Sequence, residues 1–123
     1  MAGNAIKHRD EFESIAGSGG CTWHLARRAL GTDAFGFNLV EIEPDGGLPE
    51  HDEAISNQVE LYVVLDGEAT IAIDGIEYPA PTGTFASLDP ASSRTILNRS
   101  EAPVTALLIG VVPADGYTPP GWA

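Results

Sequence analysis

The sequence predicts an all-β domain, a small barrel or sandwich of short antiparallel strands. Three observations carry this. Val, Ile, Leu and Thr alternate with polar residues over short runs bounded by Gly, Pro and Asp. Turn signals recur about every eight to twelve residues, among them the pairs Asp66/Gly67 and Asp74/Gly75. No long stretch keeps a helical period, and 14 glycines with 9 prolines in 123 residues suit a loop-rich β fold.

Taken in order, residues 1–20 are polar apart from Ile6, Phe12 and Ile15, and form an N-terminal arm closed by Ser18, Gly19 and Gly20. The arm either pairs with a sheet edge, pairs with a second subunit, or stays half-ordered. Residues 21–113 form the barrel. Within it, residues 23–30 read as a strand, with Trp23, Leu25 and Arg27 on one face and His24, Ala26 and Arg28 on the other. Residues 35–43 read as the next strand: Phe35, Phe37 and Leu39 share one face, Val40 and Ile42 the other. Pro44 to Gly47 breaks it.

Residues 46–75 are the centre of the domain. An extended piece carries His51 and Glu53; an apolar strand ends at Asp66/Gly67 and a second at Asp74/Gly75, both read as hairpin turns. Pro79 and Pro81 make residues 78–81 a connection or an edge, because proline cannot donate to a sheet ladder. Strands resume at 84–88, 93–98 and 104–112. The last is apolar on both faces, which places it inside a sheet. Residues 114–123 form an irregular tail, whose Tyr117 and Trp122 either fold back over an apolar patch or project free.

Charge narrows the function classes. Eighteen acidic against 6 basic residues give a formal net charge of -12. Such a surface repels phosphate backbones and anionic headgroups, so neither nucleic acid nor membrane is an expected partner. Cys21 is the single cysteine, which excludes an intrachain disulfide and a C-x-x-C metal site. No apolar run is long enough for a leader or a membrane span, and a reducing cytoplasm is the expected location.

The run from Glu60 to Thr70, ELYVVLDGEAT, resembles the cupin superfamily. The family's first motif is G-x5-H-x-H-x3,4-E-x6-G, and Gly46 or Gly47, His51, Glu60 and Gly67 stand in matching order. Six residues separate Glu60 from Gly67, as the motif asks. The second motif, G-x5-P-x-G-x2-H-x3-N, is matched less closely. Gly83 precedes Pro90 by one residue more than written, Ser92 and Thr95 replace the glycine and the histidine, and Asn98 lies one place short. The resemblance covers residues 35–112. It implies a double-stranded β-helix, or jelly-roll barrel, forming a single domain. It also implies a homodimer, since single-domain cupins commonly pair through their N-terminal strands; residues 5–30, with Trp23 and Leu25, are the expected contact.

In cupins that bind metal, two histidines and a glutamate of the first motif and the histidine of the second converge on one ion. Carried over, these positions are His51, Glu53, Glu60 and Thr95: two match, one is a substitute and one is lost. The gap from Glu53 to Glu60 is two residues longer than the motif allows, so Gln58 competes with Glu60 for an inward position. Residues two apart on a strand project from one face about 6.6 Å apart, so His51 and Glu53 can bend onto one ion. One imidazole and two carboxylates with open positions suit Mn²⁺, Fe²⁺ or Zn²⁺. Without a metal, Arg94, Arg27, Arg28 or protonated His51 would relieve the repulsion between carboxylates. Arg94, alternating away from Thr95, is expected in solvent. Gln58, Tyr62 and Thr95 are the expected ligand contacts in the mouth; His8 and His24 are expected at the surface. Three functions fit: a small-molecule-binding cupin without catalysis, a divalent-metal-dependent dioxygenase, isomerase or decarboxylase, and a structural or interaction module.

Overall fold

Two antiparallel sheets face each other because the strands alternate small or apolar inward residues with outward ones. A computed structural model describes residues 3–113 and 116–122; residues 1, 2, 114, 115 and 123 of the expected arm and tail lie outside the described residues. Among the described residues the strands are β1 (Ser14–Ala16), β2 (Cys21–His24), β3 (Gly36–Ile42), β4 (Val59–Asp66), β5 (Glu68–Ile73), β6 (Ile76–Pro81), β7 (Phe85–Leu88), β8 (Arg94–Leu97) and β9 (Val104–Val111). The larger sheet has the order β1-β2-β3-β9-β4-β7 and the smaller β6-β5-β8. This crossing of the chain between two sheets, with β9 placed inside the larger one as its sequence predicts, is the jelly-roll arrangement.

The core lies between the sheets. Val40, Ile42, Tyr62, Val64, Val104 and Ala106 come from the larger sheet, and Ala69, Ile71 and Ile96 from the smaller. Burying a Val or Ile side chain fully contributes roughly 1.5–3 kcal/mol, so this set supplies the main driving force for closure. Leu48 adds to the core from a segment that runs antiparallel to β8. Its amide donates to Ile96 O at 3.1 Å, and His51 and Arg94 exchange both backbone hydrogen bonds, at 3.1 and 2.8 Å. That bridge fixes His51 against the rim of the small sheet.

Several expectations are corrected. Residues 23–30 are not one strand: β2 stops at His24 and a short helix, α1 (Ala26–Leu30), follows. Ala, Arg and Leu are strong helix formers, and Gly31 closes the turn in the left-handed conformation, its amide donating to Arg27 O. Asp66/Gly67 is not a hairpin. β4 pairs with β7 and β9, whereas β5 pairs with β6 and β8, so the chain changes sheets here. Gly67 has φ 104°, and a Cβ there would sit 2.8 Å from Pro103 O. Backbone conformation and crowding both demand glycine at this corner. Asp74/Gly75 is the tight hairpin its sequence predicts, with both residues at positive φ between β5 and β6. The segment with Pro79 and Pro81 is the edge strand β6.

Of the N-terminal arm, β1 pairs with β2 at the edge of the larger sheet. It is pinned there by side chains. Ser14 Oγ and His24 Nδ1 lie 2.7 Å apart, His24 Nε2 and Glu41 Oε1 2.7 Å apart, and Arg9 donates to the same Glu41 oxygen at 2.6 Å. His24 is therefore half-buried in a hydrogen-bond chain rather than free at the surface, whereas His8 is exposed and caps a 3-10 turn at Arg9–Glu11. Among the described residues no helix is long and apolar enough to cross a membrane.

Candidate metal and ligand site at the barrel mouth

Tyr62 and Val64 are buried, so the alternation of β4 turns Glu60 inward with them, and Gln58 two residues earlier follows the same face. Gln58 and Glu60 therefore do not exclude each other: both line one cavity of about 270 Å³. Its other walls include Trp23, Asn38, Leu48, His51, Tyr62 and Leu108. A second cavity of about 380 Å³ shares Gly36, Gln58 and Gly110 with it and reaches Arg27 at the outer rim.

His51, Glu53 and Glu60 meet at this mouth. Each offers one donor atom within 4.8 Å of the other two. His51 Nε2 lies 3.0 Å from Glu53 Oε2 and 3.7 Å from Glu60 Oε1. Two donors bonded to one ion at 2.0–2.2 Å stand about 2.9–3.5 Å apart at octahedral or tetrahedral angles, a range that the His51–Glu53 distance meets and the His51–Glu60 distance slightly exceeds. Glu53 stands behind His51, and its Oε1 accepts from Ser56 Oγ at 2.8 Å and, at longer range, from Gln58 Nε2 at 3.4 Å.

The imidazole is oriented by its other nitrogen. His51 Nδ1 lies 3.0 Å from Pro49 O, and a carbonyl only accepts, so Nδ1 carries a proton. Nε2 then has two states. With a proton it is an imidazolium beside two carboxylates; without one its lone pair stands 3.0 Å from Glu53 Oε2 and 3.7 Å from Glu60 Oε1. Three acceptors this close need positive charge among them, which Arg94 supplies at Glu60 and a proton or an ion at His51 Nε2 would complete. A backbone carbonyl on the far ring nitrogen is also the usual support of a metal-binding histidine. The donor set fits a divalent ion.

Arg94 corrects the sequence reading most. It is not in solvent but 0% exposed. Nε and Nη2 donate to Glu60 Oε1 at 3.1 and 2.7 Å, and Nη1 donates to Asp89 O and Ser92 O at 3.0 and 2.9 Å. Burial opposes its charge, yet the Glu60 hydrogen bonds and charge outweigh that and raise its pKa. Arg94 and Thr95 do point to opposite faces; the inward one is Arg94. Thr95 is buried outside the cavity lining, and its hydroxyl donates to Leu48 O at 2.6 Å. A signal for this existed: three residues separate Arg94 from Asn98, the spacing of the histidine and asparagine in the second motif. Asn98 is buried, and its amide nitrogen donates to Ile42 O and Ala102 O.

Tyr62 is 1% exposed, and its hydroxyl makes no hydrogen bond of acceptable geometry. Burial, and then the charge of Glu60, push its pKa well above the ordinary phenol range; the nearby Arg94 pulls the other way without prevailing. Trp23 and Leu48 were not expected in the lining. Trp23 pairs with Val40 on the inner face and lines the cavity. Cys21 is buried with its thiol on Gly47 O at 3.2 Å, and burial raises its pKa, consistent with an unreactive core residue.

Comparison with known proteins agrees with this architecture. A family model described as "Cupin domain" matches residues 38–110. No curated protein matches the chain. Among solved structures, a sugar phosphate isomerase of the cupin superfamily from Silicibacter pomeroyi is 25% identical. Its TM-score is 0.76, over 87% of this chain and 75% of that one. A predicted oxalate decarboxylase from Thermotoga maritima is 20% identical (TM-score 0.72; 89% and 100% covered). The polyketide cyclase RemF from Streptomyces resistomycificus is 14% identical (TM-score 0.74; 91% and 82% covered). The match spans more than half the chain, along the strands that build the mouth, and so the chain belongs to the cupin domain family.

Proposed function

We propose that the barrel mouth binds a small, oxygen-rich molecule through a divalent ion held by His51, Glu53 and Glu60. One observation carries this reading: His51, Glu53 and Glu60 each offer a donor atom within 4.8 Å of the other two, while Pro49 O fixes the proton on the far ring nitrogen of His51. Mn²⁺, Fe²⁺ and Zn²⁺ suit one imidazole and two carboxylates. Such an ion supplies Lewis-acid polarisation of a ligand oxygen, the contribution expected of a metal-dependent isomerase, decarboxylase or dioxygenase. The protein's own groups do the rest. Trp23, Leu48 and Leu108 exclude water, the amides of Gln58 and Asn38 offer hydrogen bonds, and Arg27 at the outer rim meets an anionic end of the ligand.

A second reading has its own support. Arg94 already places a fixed positive charge on Glu60, and an imidazolium at His51 would balance Glu53. The mouth would then bind its ligand without a metal. Elemental analysis of protein purified without chelator separates the two. A stoichiometric transition metal that is lost in His51→Ala supports the first; metal-free wild-type protein that also fails to take up Mn²⁺ or Zn²⁺ on titration refutes it and leaves the second.

A further inference from the structure

The inner face of the larger sheet is built in cross-strand rows. Val40–Ala106–Val64 and Asn38–Leu108–Tyr62 fill it with side chains, and the last row before the mouth is Gly36–Gly110–Glu60. On β3 and β9 that last row shows bare backbone. Neither glycine has a positive φ, so conformation does not require them. Glycine inside a strand weakens it and marks a close approach by a ligand or another segment. Gln58 accounts for Gly110: a Cβ there would stand 2.7 Å from the amide carbon of Gln58, which lies on that backbone. Nothing among the described residues accounts for Gly36. A Cβ there would meet only Gly110 O, at an ordinary 3.6 Å, and open space otherwise. The inner cavity of about 270 Å³ and the outer one of about 380 Å³ meet at this stretch, which lines both. Arg27 stands at the outer rim, 44% exposed. Its Nη1 donates to Thr32 O at 3.3 Å and lies 3.7 Å from Asp33 Oδ1. Asp33 is 98% exposed, so water screens that pair. Among the described residues Nε and Nη2 of Arg27 have no partner, which leaves one edge of the guanidinium for both oxygens of an acid.

We infer that the two cavities are one track for a linear, polyhydroxylated chain that ends in an acid. Oxygens at its inner end meet His51 and Glu60, or an ion held there. Its middle crosses the bare backbone of Gly36 beside the Gln58 amide, and its acid reaches Arg27. Length sets the class. From Glu60 on β4 to Gly36 on β3 is two strand spacings, about 9–10 Å. An extended chain of tetrahedral carbons, with bonds of about 1.52 Å, advances roughly 1.25 Å per bond, so about seven or eight bonds cover that span. A six-carbon hydroxy acid has about that reach from its terminal hydroxyl to its carboxylate, and a three-carbon acid falls far short. Gly36 is then the residue that admits length: any side chain there stands in the passage between the cavities. The inference rests on the mouth being a small-molecule site, and not on the metal.

Calorimetric titration, with and without Mn²⁺, reads the result for glycerate, ribonate, gluconate, glucoheptonate, sorbitol and sorbitol 6-phosphate. Gluconate should bind at least about tenfold tighter than glycerate, since it adds contacts at the Arg27 end that charge-assisted hydrogen bonds make worth that much. Gluconate or sorbitol 6-phosphate should exceed uncharged sorbitol by a similar factor, and the tighter of the two names the acid. Gly36→Val puts a good strand former on ordinary strand backbone, so Tm should stay at or above wild type. The same change should cut the advantage of gluconate over glycerate to less than about twofold, because the side chain blocks the passage. Arg27→Gln, on the exposed rim, should erase the advantage of the acids over sorbitol. Affinity that does not depend on length overturns the inference, as does undiminished gluconate binding in a folded Gly36→Val protein, or no binding by any of these probes. Length-dependent binding in protein that takes up no Mn²⁺ upholds the track and removes the metal reading; Mn²⁺ uptake with length-independent binding does the reverse.

Discussion

Arg94→Met tests whether the Arg94–Glu60 pair holds the mouth together. Methionine keeps most of the stem and its packing, but removes the two N–H bonds to Glu60 and the two to Asp89 O and Ser92 O. Breaking a buried ion pair by deleting one partner costs about 3–5 kcal/mol. Glu60 keeps 14% of its side chain exposed and can hydrate once Arg94 is gone. The loss should therefore fall at or below the low end of that range, about 2–4 kcal/mol. A domain of this size has roughly 5–15 kcal/mol in total, and about 4 °C of melting temperature goes with each kcal/mol, so Tm should drop by roughly 8–16 °C. Urea unfolding followed by far-UV circular dichroism measures the free energy directly. Glu60→Gln completes a double-mutant cycle, in which the two changes should couple by about 1–3 kcal/mol. A loss below about 0.5 kcal/mol, or strict additivity in the cycle, would show that the pair is incidental.

Three further outcomes follow from the same geometry. Because Tyr62 holds its proton more tightly folded than unfolded, its contribution to stability is complete below the unfolded phenol value near pH 10. It declines by up to about 1.4 kcal/mol per pH unit above that. Tyr62→Phe should remove that part of the alkaline slope while leaving stability at neutral pH unchanged or slightly higher, since the hydroxyl is unpaired; an identical slope in urea titrations at pH 9–11 refutes it. Gly67→Ala should cost at least about 2 kcal/mol, from positive φ and from the Cβ pressed on Pro103 O; a value under about 0.5 kcal/mol in the same assay contradicts the crowding. Arg94→His takes the fixed cation off Glu60 and offers an imidazole in its place. Calorimetric titration with Mn²⁺ or Zn²⁺ should show tighter binding than wild type, on a less stable fold; equal or weaker binding means that residue 94 does not face the ion.

Most strands were legible because alternation and punctuation are local signals. Pro79 and Pro81 limit residues 78–81 to a connection or an edge, and the structure makes them part of edge strand β6; the interior position of β9 follows from its apolar run. What failed was information carried outside the segment. ARRAL at residues 26–30 continues the alternation of β2 by accident of composition, and Gly31 as a left-handed cap was the signal against a strand. Nothing near Asp66/Gly67 says which neighbours β4 and β5 take, so a change of sheet looks like a hairpin from the sequence alone.

The site turned on a single binary choice. A strand has two faces, and one residue more or less in the preceding loop exchanges them. Counting from Pro90 assigns the motif histidine to Thr95; counting from Gly83, or back from Asn98, assigns it to Arg94, and the burial of Arg94, Ile96 and Asn98 on one face decides for the second. The choice changes the chemistry as well as the label. A threonine in that position would leave two carboxylates and an imidazole with no built-in countercharge. Arg94 gives Glu60 one, on the oxygen nearest His51, and so makes the Nε2 of His51 the atom whose occupant, proton or metal ion, sets the charge of the whole mouth.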